Sequence, residues 1–356
     1  MKGIFVQLLN VVAVRNVEKG EAALLALLLL LAVVVSSTSL PAERENTIFI
    51  SGSTTVYPLA SLWAEKYMEE NPQVRVDVIG GGSGKGISDV SMGLVDIGMS
   101  SRDLKDRELQ LHPSLKLITI AHDAVIVVVN SHNPLLDVLL ERGISRVDLR
   151  NVYVVGNVTN WEYLARMDFN GDGWIAINET HAMDLSGAIR KPDGGYTYPL
   201  NLEIHVYTRS DASGTGETFA KFLGVHQERL LGSGQSGNLG VLSAVGGDEL
   251  GIGYVSLAYA FDESVVPIPV DGDCDGVISE GEAVHSYEYV AEHIDLYPIA
   301  RNLYFVVNVE ALSDIAKDFI LWCVDEDGGQ QFVELAGYVP ISSSEHAEVI
   351  ELLSDG

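Results

Sequence analysis

Short β-branched runs alternate with helical stretches along this chain from about residue 46, and this alternation limits the fold more than any other feature. NTIFISG and QVRVDVIG have the composition of strands, and the segment between them carries apolar residues at helical spacing. Further strand-like runs follow in DIGMSS and in the long LKLITIAHDAVIVVVN. Such alternation predicts an α/β fold.

Individual helices and strands follow from the same patterns. Helices are predicted for STTVYPLASLWAEKYMEENP, GISDVSMGLV, SGTGETFAKFLG and the region around LSDIAKDFILWCVDE. NLEIHVYTRS predicts a strand, and VDLRNVYVVGNVTNWEYL predicts a helix or turn, then a strand-like stretch, then the start of a second helix.

The N-terminal segment, residues 1–45, is predicted to be a signal peptide or a membrane anchor helix. Residues 22–35 are uninterrupted apolar residues, which basic residues precede and acidic residues follow. This charge bias places the rest of the chain outside the cytoplasm. The segment EKGEAALLALL also resembles archaeal type IV pilin-like signal peptides, in which cleavage after Gly20 would retain the apolar stretch. Cleavage and retention both remain open.

The charge of the chain narrows its ligands and partners. Its 356 residues include 22 Lys and Arg against 50 Asp and Glu, a formal net charge of −28. Nucleic acid is therefore not expected as a partner, because it requires basic surfaces. Any anionic ligand has to be held by local dipoles against the overall field. Two cysteines, Cys274 and Cys323, leave both the compartment and a disulfide undecided.

A glycine-rich loop in VDVIGGGSGKGISDV, residues 76–90, follows a strand and opens a helix, as in phosphate-binding loops. The spacing is not that of a nucleotide P-loop, which requires a glycine where Ile79 stands and a hydroxyl where Gly86 stands. Lys85 is therefore expected to point away from any ligand. The glycines still allow a backbone to approach an anion closely.

Three strand-to-helix junctions share hydroxyl and glycine residues: Ser53-Thr54-Thr55, Ser83-Gly84 and Ser213-Gly214-Thr215. Alone, each hydroxyl would be explained as a helix N-cap. Together the three junctions predict convergence on one anion, to which each offers N–H groups and a positive helix end. Arg209 could bind an oxyanion bidentately, and Asp211 either orients this arginine or forms a surface turn.

The order of several motifs resembles that of the phosphate-binding proteins of ABC phosphate importers. The matching segments are SGSTTVYPL, GGGSGKGISDV, VDIGMSSRDL, NVTNWEYL, RSDASGTGETF, GIGYVSLAYA and YPIARNLYFVV. They cover most of residues 46–340 in the right order, and RSDASGT is the most specific of them.

The resemblance implies a two-lobed type II periplasmic-binding-protein fold with a ligand cleft between the lobes. Lobe 1 would comprise residues 46–121 and 302–356, and lobe 2 residues 122–301. The implied function is the extracytoplasmic, monomeric component that delivers inorganic phosphate to ABC permease subunits in the membrane. His122 and Asp123, at the predicted crossing between the lobes, are interpreted as structural.

The resemblance also implies the ligand contacts, with Asp211 holding the arginine. The implied phosphate-binding residues are Thr54, Thr55, Ser83, Ser101, Arg209, Ser213, Gly214 and Thr215. Family members often carry an aspartate where this chain has Ser101, and that carboxylate rejects fully ionised oxyanions. A serine both donates and accepts, so sulfate and arsenate remain alternative ligands.

Two segments fit the calcium-loop pattern D-x-[DN]-x-[DN]-G-x₅-E, residues 168–179 and 271–282. The predicted ligands are Asp168, Asn170, Asp172, the Trp174 carbonyl and Glu179 in the first loop, and Asp271, Asp273, Asp275, the Val277 carbonyl and Glu282 in the second. Both lie in predicted insertions of lobe 2, near residues 166–199 and 264–296. Structural calcium sites are therefore expected rather than a switching sensor.

These features bear on two functional classes outside transport, an interaction protein and an enzyme. A surface-anchored calcium-binding interaction protein without a transport role is the alternative from outside the transport class. An enzyme is not expected, because the glycine-flanked serines have no histidine base in a recognisable motif.

Overall fold

The computed structural model describes residues 46–161, 164, 189–190, 196–197 and 202–354. The predicted leader, residues 1–45, and the first predicted calcium loop, residues 168–179, lie outside the described residues. Among the described helices, none is long and apolar enough to cross a membrane.

The strands of the described residues are numbered in chain order. They are β1 (Thr47–Gly52), β2 (Arg75–Gly80), β3 (Ile97–Ser100), β4 (Leu115–Asn130), β5 (Ile144–Ser145), β6 (Ile189–Arg190), β7 (Tyr196–Thr197), β8 (His205–Arg209), β9 (Ser233–Gln235), β10 (Gly251–Ser256), β11 (Val265–Ile268), β12 (Val270–Asp271) and β13 (Ala300–Asn308).

The α-helices of the described residues are numbered in the same way. They are α1 (Tyr57–Glu70), α2 (Ser83–Ser91), α3 (Asp106–Leu111), α4 (Leu136–Arg142), α5 (Arg146–Arg150), α6 (Gly214–Phe222), α7 (Gly237–Gly246), α8 (Tyr287–Glu292), α9 (Asp314–Val324) and α10 (Ser343–Ser354).

Nine strands form one sheet in the order β2-β1-β3-β13-β4-β10-β8-β9, with β11 paired to β4. Pairing is parallel between β1 and β3, and again from β10 through β8 to β9. The two long central strands, β4 and β13, run antiparallel to each other and join these parallel parts. Helices on a mixed sheet of this kind give the α/β class that the alternating pattern predicts.

Among the described residues, two large hydrophobic cores pack on this sheet, and a small third cluster around Ile87 and Val90 lies within the same residue ranges as the first core. The buried residues of the first core lie within residues 48–121 and 303–353, and those of the second within residues 124–299. We call the residues around the first core lobe 1 and those around the second core lobe 2. The chain passes between the cores in β4 and at the start of β13. The predicted lobe boundaries stay a prediction, which the separation of the cores supports.

Two local predictions differ from the structure. α1 begins at Tyr57 rather than at the hydroxyl residues before it. The Ser53 carbonyl accepts the Tyr57 N–H at 3.0 Å, but Pro58 in the first turn has no N–H for the Thr54 carbonyl, so the helical ladder does not continue from there. The strand-like NVYVV is a π-helical turn that continues α5. Tyr153 in this turn packs on the rings of Phe219 and Tyr254, with centroids at 4.9 and 5.8 Å, and this packing overrides the β propensity.

Candidate anion-binding site

The three hydroxyl-bearing junctions meet in the structure. The Ser53 hydroxyl donates to Ser101 Oγ at 3.0 Å, and Ser83 Oγ lies 3.3 Å from the same atom. Thr55 Oγ1, before α1, lies 2.9 Å from Thr215 Oγ1 in the first turn of α6. These contacts bring polar groups of the two lobes into one buried cluster, which we call the hydroxyl cluster.

Local sequence explains how each junction reaches this cluster. Gly82 has a φ of +93° at the N-cap of α2, a conformation that favours glycine, and it turns the chain so that Ser83 begins the helix. Ser213 is the N-cap of α6 and its side chain accepts the Gly216 N–H at 3.0 Å. The orientation of the Ser213 hydroxyl is therefore explained by helix capping. The Ser83 hydroxyl does not cap its helix and instead points toward Ser101.

Gly214 marks the closest approach between the two lobes. A Cβ atom at this position would overlap the side-chain oxygens of both Ser83 and Ser101. The N–H of Gly84 in α2 also donates to the Ala212 carbonyl, at 2.9 Å, just before α6. Only a residue without a side chain allows these two helix starts to come together.

Arg209, at the end of β8, is held on one side and reaches lobe 1 on the other. Asp211 accepts from its Nε at 2.8 Å and from its Nη2 at 2.6 Å. The same Nη2 donates to Thr54 Oγ1 at 2.9 Å. The Arg209 side chain is 1% exposed. The pairing with Asp211 that the sequence suggests is present, and the alternative of an isolated surface turn is not.

All eight predicted phosphate-binding residues lie in or next to the hydroxyl cluster. They are Thr54, Thr55, Ser83, Ser101, Arg209, Ser213, Gly214 and Thr215. The arrangement offers hydroxyl, guanidinium and backbone donors within one largely buried cluster, which suits an oxyanion chemically. Their role as ligands remains a prediction.

Arg301 and Asn238, which the sequence does not single out, also belong to this site, as does Asp123, which is predicted from the sequence to be structural. Arg301 in β13 donates from Nη2 to Thr215 Oγ1 at 3.1 Å and to Thr55 Oγ1 at 3.3 Å. Its partner Asp123 in β4 accepts from Nε at 2.9 Å and from Nη2 at 2.6 Å. Asn238 donates to Thr55 Oγ1 at 3.0 Å. Arg301 lies in the motif YPIARNLYFVV, which is the one sequence feature that could have pointed to it.

Burial shapes the electrostatics of the site. Burial lowers the pKa of Arg301, which the carboxylate of Asp123 opposes and the charge of Arg209 reinforces. A guanidinium keeps its proton in proteins, so two cations face this region. Burial raises the pKa of Tyr259 to about 12, and its protonated hydroxyl donates to the Thr54 carbonyl at 3.2 Å.

Lys85 takes no part in the site. Its ammonium pairs with Asp89 one turn further along α2, and Asp89 also accepts from Ser51 Oγ at 2.6 Å. The prediction that this lysine points away from the ligand region is confirmed, and the P-loop interpretation has no support in the geometry.

A group of charged residues bridges the lobes beside the cluster. Lys105 of lobe 1 lies 3.4 Å from Glu217 of α6, which is buried and also accepts from His226 Nδ1 at 2.8 Å. Burial alone would raise the pKa of Glu217, but hydrogen bonds from His226 and the Gln227 N–H, together with Lys105, hold it below 4.5.

The second predicted calcium loop begins in β12 and ends in a 3₁₀ turn at Glu280–Glu282. One carboxylate oxygen from each of Asp271, Asp273 and Asp275 lies within 4.8 Å of the others. Glu282 instead accepts from the Gly272 N–H at 2.6 Å and from the Ser279 N–H at 2.9 Å. Three of the predicted side-chain ligands are therefore grouped, and the fourth holds the loop backbone.

The two cysteines are free: Cys323 is buried in lobe 1, and Cys274 is exposed in this loop. The structure contains no disulfide between them.

A family model described as the PBP superfamily domain matches residues 37–327 of this chain. The chain therefore belongs to the PBP superfamily, and its two-core α/β sheet is a type II PBP-like fold.

Individual relatives agree with this family. The phosphate-binding protein PstS of Bacillus subtilis (strain 168) is 27% identical over 300 residues, which cover 84% of this chain and 82% of that protein. A Clostridium perfringens protein assigned as the substrate-binding protein of a phosphate ABC transporter was solved with bound phosphate. It is 28% identical, with a TM-score of 0.64, covering 83% of this chain and 100% of that one. An ABC-type phosphate transport receptor of Vibrio cholerae is 25% identical, with a TM-score of 0.57, covering 83% of this chain and 100% of the other.

Proposed function

We propose that this protein is the extracytoplasmic phosphate-binding component of an ABC phosphate import system. It would act as a monomer that holds one inorganic phosphate at the hydroxyl cluster and delivers it to membrane permease subunits. The observation that carries the proposal is the meeting of eight predicted ligand residues from both lobes at one buried position. The names of the relatives support phosphate as the ligand.

Binding without a full counter-charge is physically reasonable at this position. Asp211 and Asp123 each accept two hydrogen bonds from an arginine, so each arginine–carboxylate pair is neutral overall. Hydroxyl and backbone donors then supply the directional contacts, and their strength increases as water leaves the site. The role proposed here is that of a binding protein, and none of these contacts requires catalysis.

The location and the leader form part of the same proposal. The apolar residues 22–35 would either direct export and be removed or remain as a membrane anchor. Either outcome places both lobes outside the cytoplasm.

Calorimetric titration with inorganic phosphate tests the site. Arg209→Ala should weaken binding at least about tenfold, because a buried anion loses hydrogen bonds from a charged group. Lys85→Ala is the matched control, since this cation lies in the glycine loop but pairs with Asp89. Unchanged phosphate affinity in Arg209→Ala would reject the site.

Sulfate is the second candidate ligand, and the neutral Ser101 is the observation that favours it. A serine hydroxyl serves an unprotonated oxygen as well as a protonated one. Sulfate and arsenate titrations of the wild-type protein rank the three oxyanions. If none of them binds, the transport proposal fails and the interaction-protein alternative stands.

We also propose a structural calcium ion in the second loop, residues 271–282. The grouping of Asp271, Asp273 and Asp275 supports this, because three carboxylates at such short range repel one another without a cation. The first loop, residues 168–179, carries the same proposal on its sequence pattern alone. Calcium would stiffen the outer surface of lobe 2 rather than act at the anion site.

Thermal melting with added calcium and with a chelator tests the ion. Wild-type protein should melt at a higher temperature with calcium, because the ion binds only the folded loop. Asp273→Asn should reduce this difference. Equal melting temperatures with calcium and chelator, together with no calcium by metal analysis, would reject the ion.

A further inference from the structure

Thr55 and Thr215 are joined to one another across the lobes, and their hydrogen bonds can be counted. Asn238 Nδ2 and Arg301 Nη2 both donate to Thr55 Oγ1, at 3.0 and 3.3 Å. A hydroxyl oxygen has two lone pairs and one proton. Both acceptor positions of Thr55 are therefore filled, so that its proton is directed to Thr215 Oγ1, 2.9 Å away.

The same count determines the direction in which the Thr215 hydroxyl donates its proton. Arg301 Nη2 has two protons, and one of them is bonded to Asp123. The other is shared between Thr55 Oγ1 and Thr215 Oγ1 as a bifurcated hydrogen bond, at 3.3 and 3.1 Å. Thr215 Oγ1 therefore accepts from Arg301 and from Thr55. With both acceptor positions used, Thr215 can only donate with its remaining proton. The orientation of Asn238 is consistent with this order, because its Oδ1 lies 3.3 Å from Arg209 Nη1 and 3.4 Å from the Ser256 N–H, both of which are donors.

Hydrogen bonds hold the Arg301 guanidinium in the position from which it donates to Thr55 and Thr215. Asp123 accepts from its Nε and Nη2, and the Ser101 carbonyl accepts from its Nη1 at 3.2 Å. The other oxygen of Asp123 accepts from Ser256 Oγ at 2.8 Å and from the Leu257 N–H at 3.1 Å. The Asp123 side chain is fully buried and that of Arg301 is 5% exposed.

We propose that Arg301 is a positioning residue of the anion site, which turns the Thr55 and Thr215 hydroxyls into a one-way donor chain that ends on the bound oxyanion. This inference rests on the proposed function. The hydrogen bonds of this donor chain run from Arg301 and Asn238 to Thr55, then from Thr55 to Thr215, and then from Thr215 to an unprotonated oxygen of the ligand. A proton on the ligand has to lie on another oxygen, on the side of Ser83 and Ser101, whose hydroxyls can either donate or accept.

The test replaces the whole ion pair, because removing one partner leaves a buried charge. Arg301→Met with Asp123→Asn removes every donor of the Arg301 guanidinium. The side-chain oxygen of the introduced asparagine can still accept from Ser256. Phosphate affinity is measured by calorimetry in this double variant and in the same variant carrying Thr215→Val. Arg102→Met with Glu108→Gln is the matched control, since that partly buried pair is also bidentate, at 2.8 and 2.8 Å, and its guanidinium contacts Glu108 and the Asp103 carbonyl.

The double variant should lose at least about tenfold in phosphate affinity. In the Thr215→Val background, the double substitution should reduce phosphate affinity clearly less, because the hydroxyl that Arg301 orients is then absent. The Arg102 control should stay within about twofold of wild type, the range of two positions without a shared partner. A purely structural role would reduce affinity equally in both backgrounds, and that result would overturn the inference.

Arg301→Lys keeps the charge and is the second variant if the double variant does not fold. A lysine lacks the planar fork that reaches Asp123 and both threonines, so affinity should fall here too, and wild-type affinity would overturn the inference. If the wild-type protein itself binds no oxyanion, the proposed function has failed, which is distinguishable from failure of the role of Arg301 alone.

Discussion

At the scale of single residues, the site depends on oxygen atoms that already contact one another. Ser53, Ser83 and Ser101 form one set of linked hydroxyls, and Thr55 and Thr215 form another. Gly214 lies between helix starts of the two lobes and has no room for a side chain. The geometry of the cluster is therefore sensitive to the smallest possible substitution.

Gly214→Ala should lower phosphate affinity at least about tenfold, because the methyl group has to displace the Ser83 or Ser101 oxygen from its position. Gly93→Ala is the control for glycine substitution in general, since a Cβ there would meet no atom within 4 Å, although its φ of +67° adds backbone strain. Calorimetric titration gives the affinities. Wild-type affinity in Gly214→Ala would contradict the close approach of the two helix starts.

At the scale of elements, helix α6 connects the anion site to the charged residues that bridge the lobes. Its N-terminal turn carries Thr215 toward the hydroxyl cluster and Glu217 toward Lys105. An acidic residue in the first turn is also favourable to the helix dipole. Glu217 therefore stabilises both the helix and the contact between the lobes.

Stability should fall in acid partly through Glu217. Its pKa in the folded protein is below the ordinary 4.5, so its contribution is complete above that value and is lost as the pH falls through the folded pKa. Melting temperatures from about pH 7 to about pH 3 should show Glu217→Gln below wild type at neutral pH, with the difference shrinking in acid.

Glu228→Gln is the control for this prediction. Its carboxylate lies 3.9 Å from Lys105 Nζ but is 75% exposed, so the pair should contribute little. A constant difference between wild type and Glu217→Gln over the whole pH range would show that the charge of Glu217 is not the cause.

At the scale of the whole molecule, the net charge of −28 opposes the approach of a phosphate dianion. Local donors hold the anion once it has arrived, but the field outside the site acts on its diffusion. Salt screens that field over about 10 Å at 0.1 M.

The association rate constant of phosphate should therefore rise with ionic strength, in contrast to the usual fall for oppositely charged partners. Stopped-flow measurement of intrinsic fluorescence from about 0.02 to about 0.2 M salt checks this, since the Debye length changes strongly over that range. A rate constant that falls with salt would mean that a local positive potential at the site outweighs the charge of the whole chain.

Much of the fold follows from periodicity. The strands β1, β2, β3, β4 and β8 and the helices α2, α6 and α9 lie where alternating patterns and helical spacing predict them. The misses, at the start of α1 and in the π-helical turn, have different causes. Pro58 lacks an N–H at the start of α1, a local signal that the predicted helix passes over, whereas the packing of Tyr153 on Phe219 is tertiary and is not visible in local sequence.

The strand-to-helix junctions that carry hydroxyls and glycines, and the carboxylate two residues after Arg209, can be read directly from the sequence. These are properties of short segments, because capping, glycine backbone freedom and the Arg209–Asp211 pair all act over a few residues. Arg301, Asp123 and Asn238 join them only in the folded protein. Their separation in the chain, from residue 123 to residue 301, is removed by the pairing of β4 with β13 and by the close contact of the two lobes.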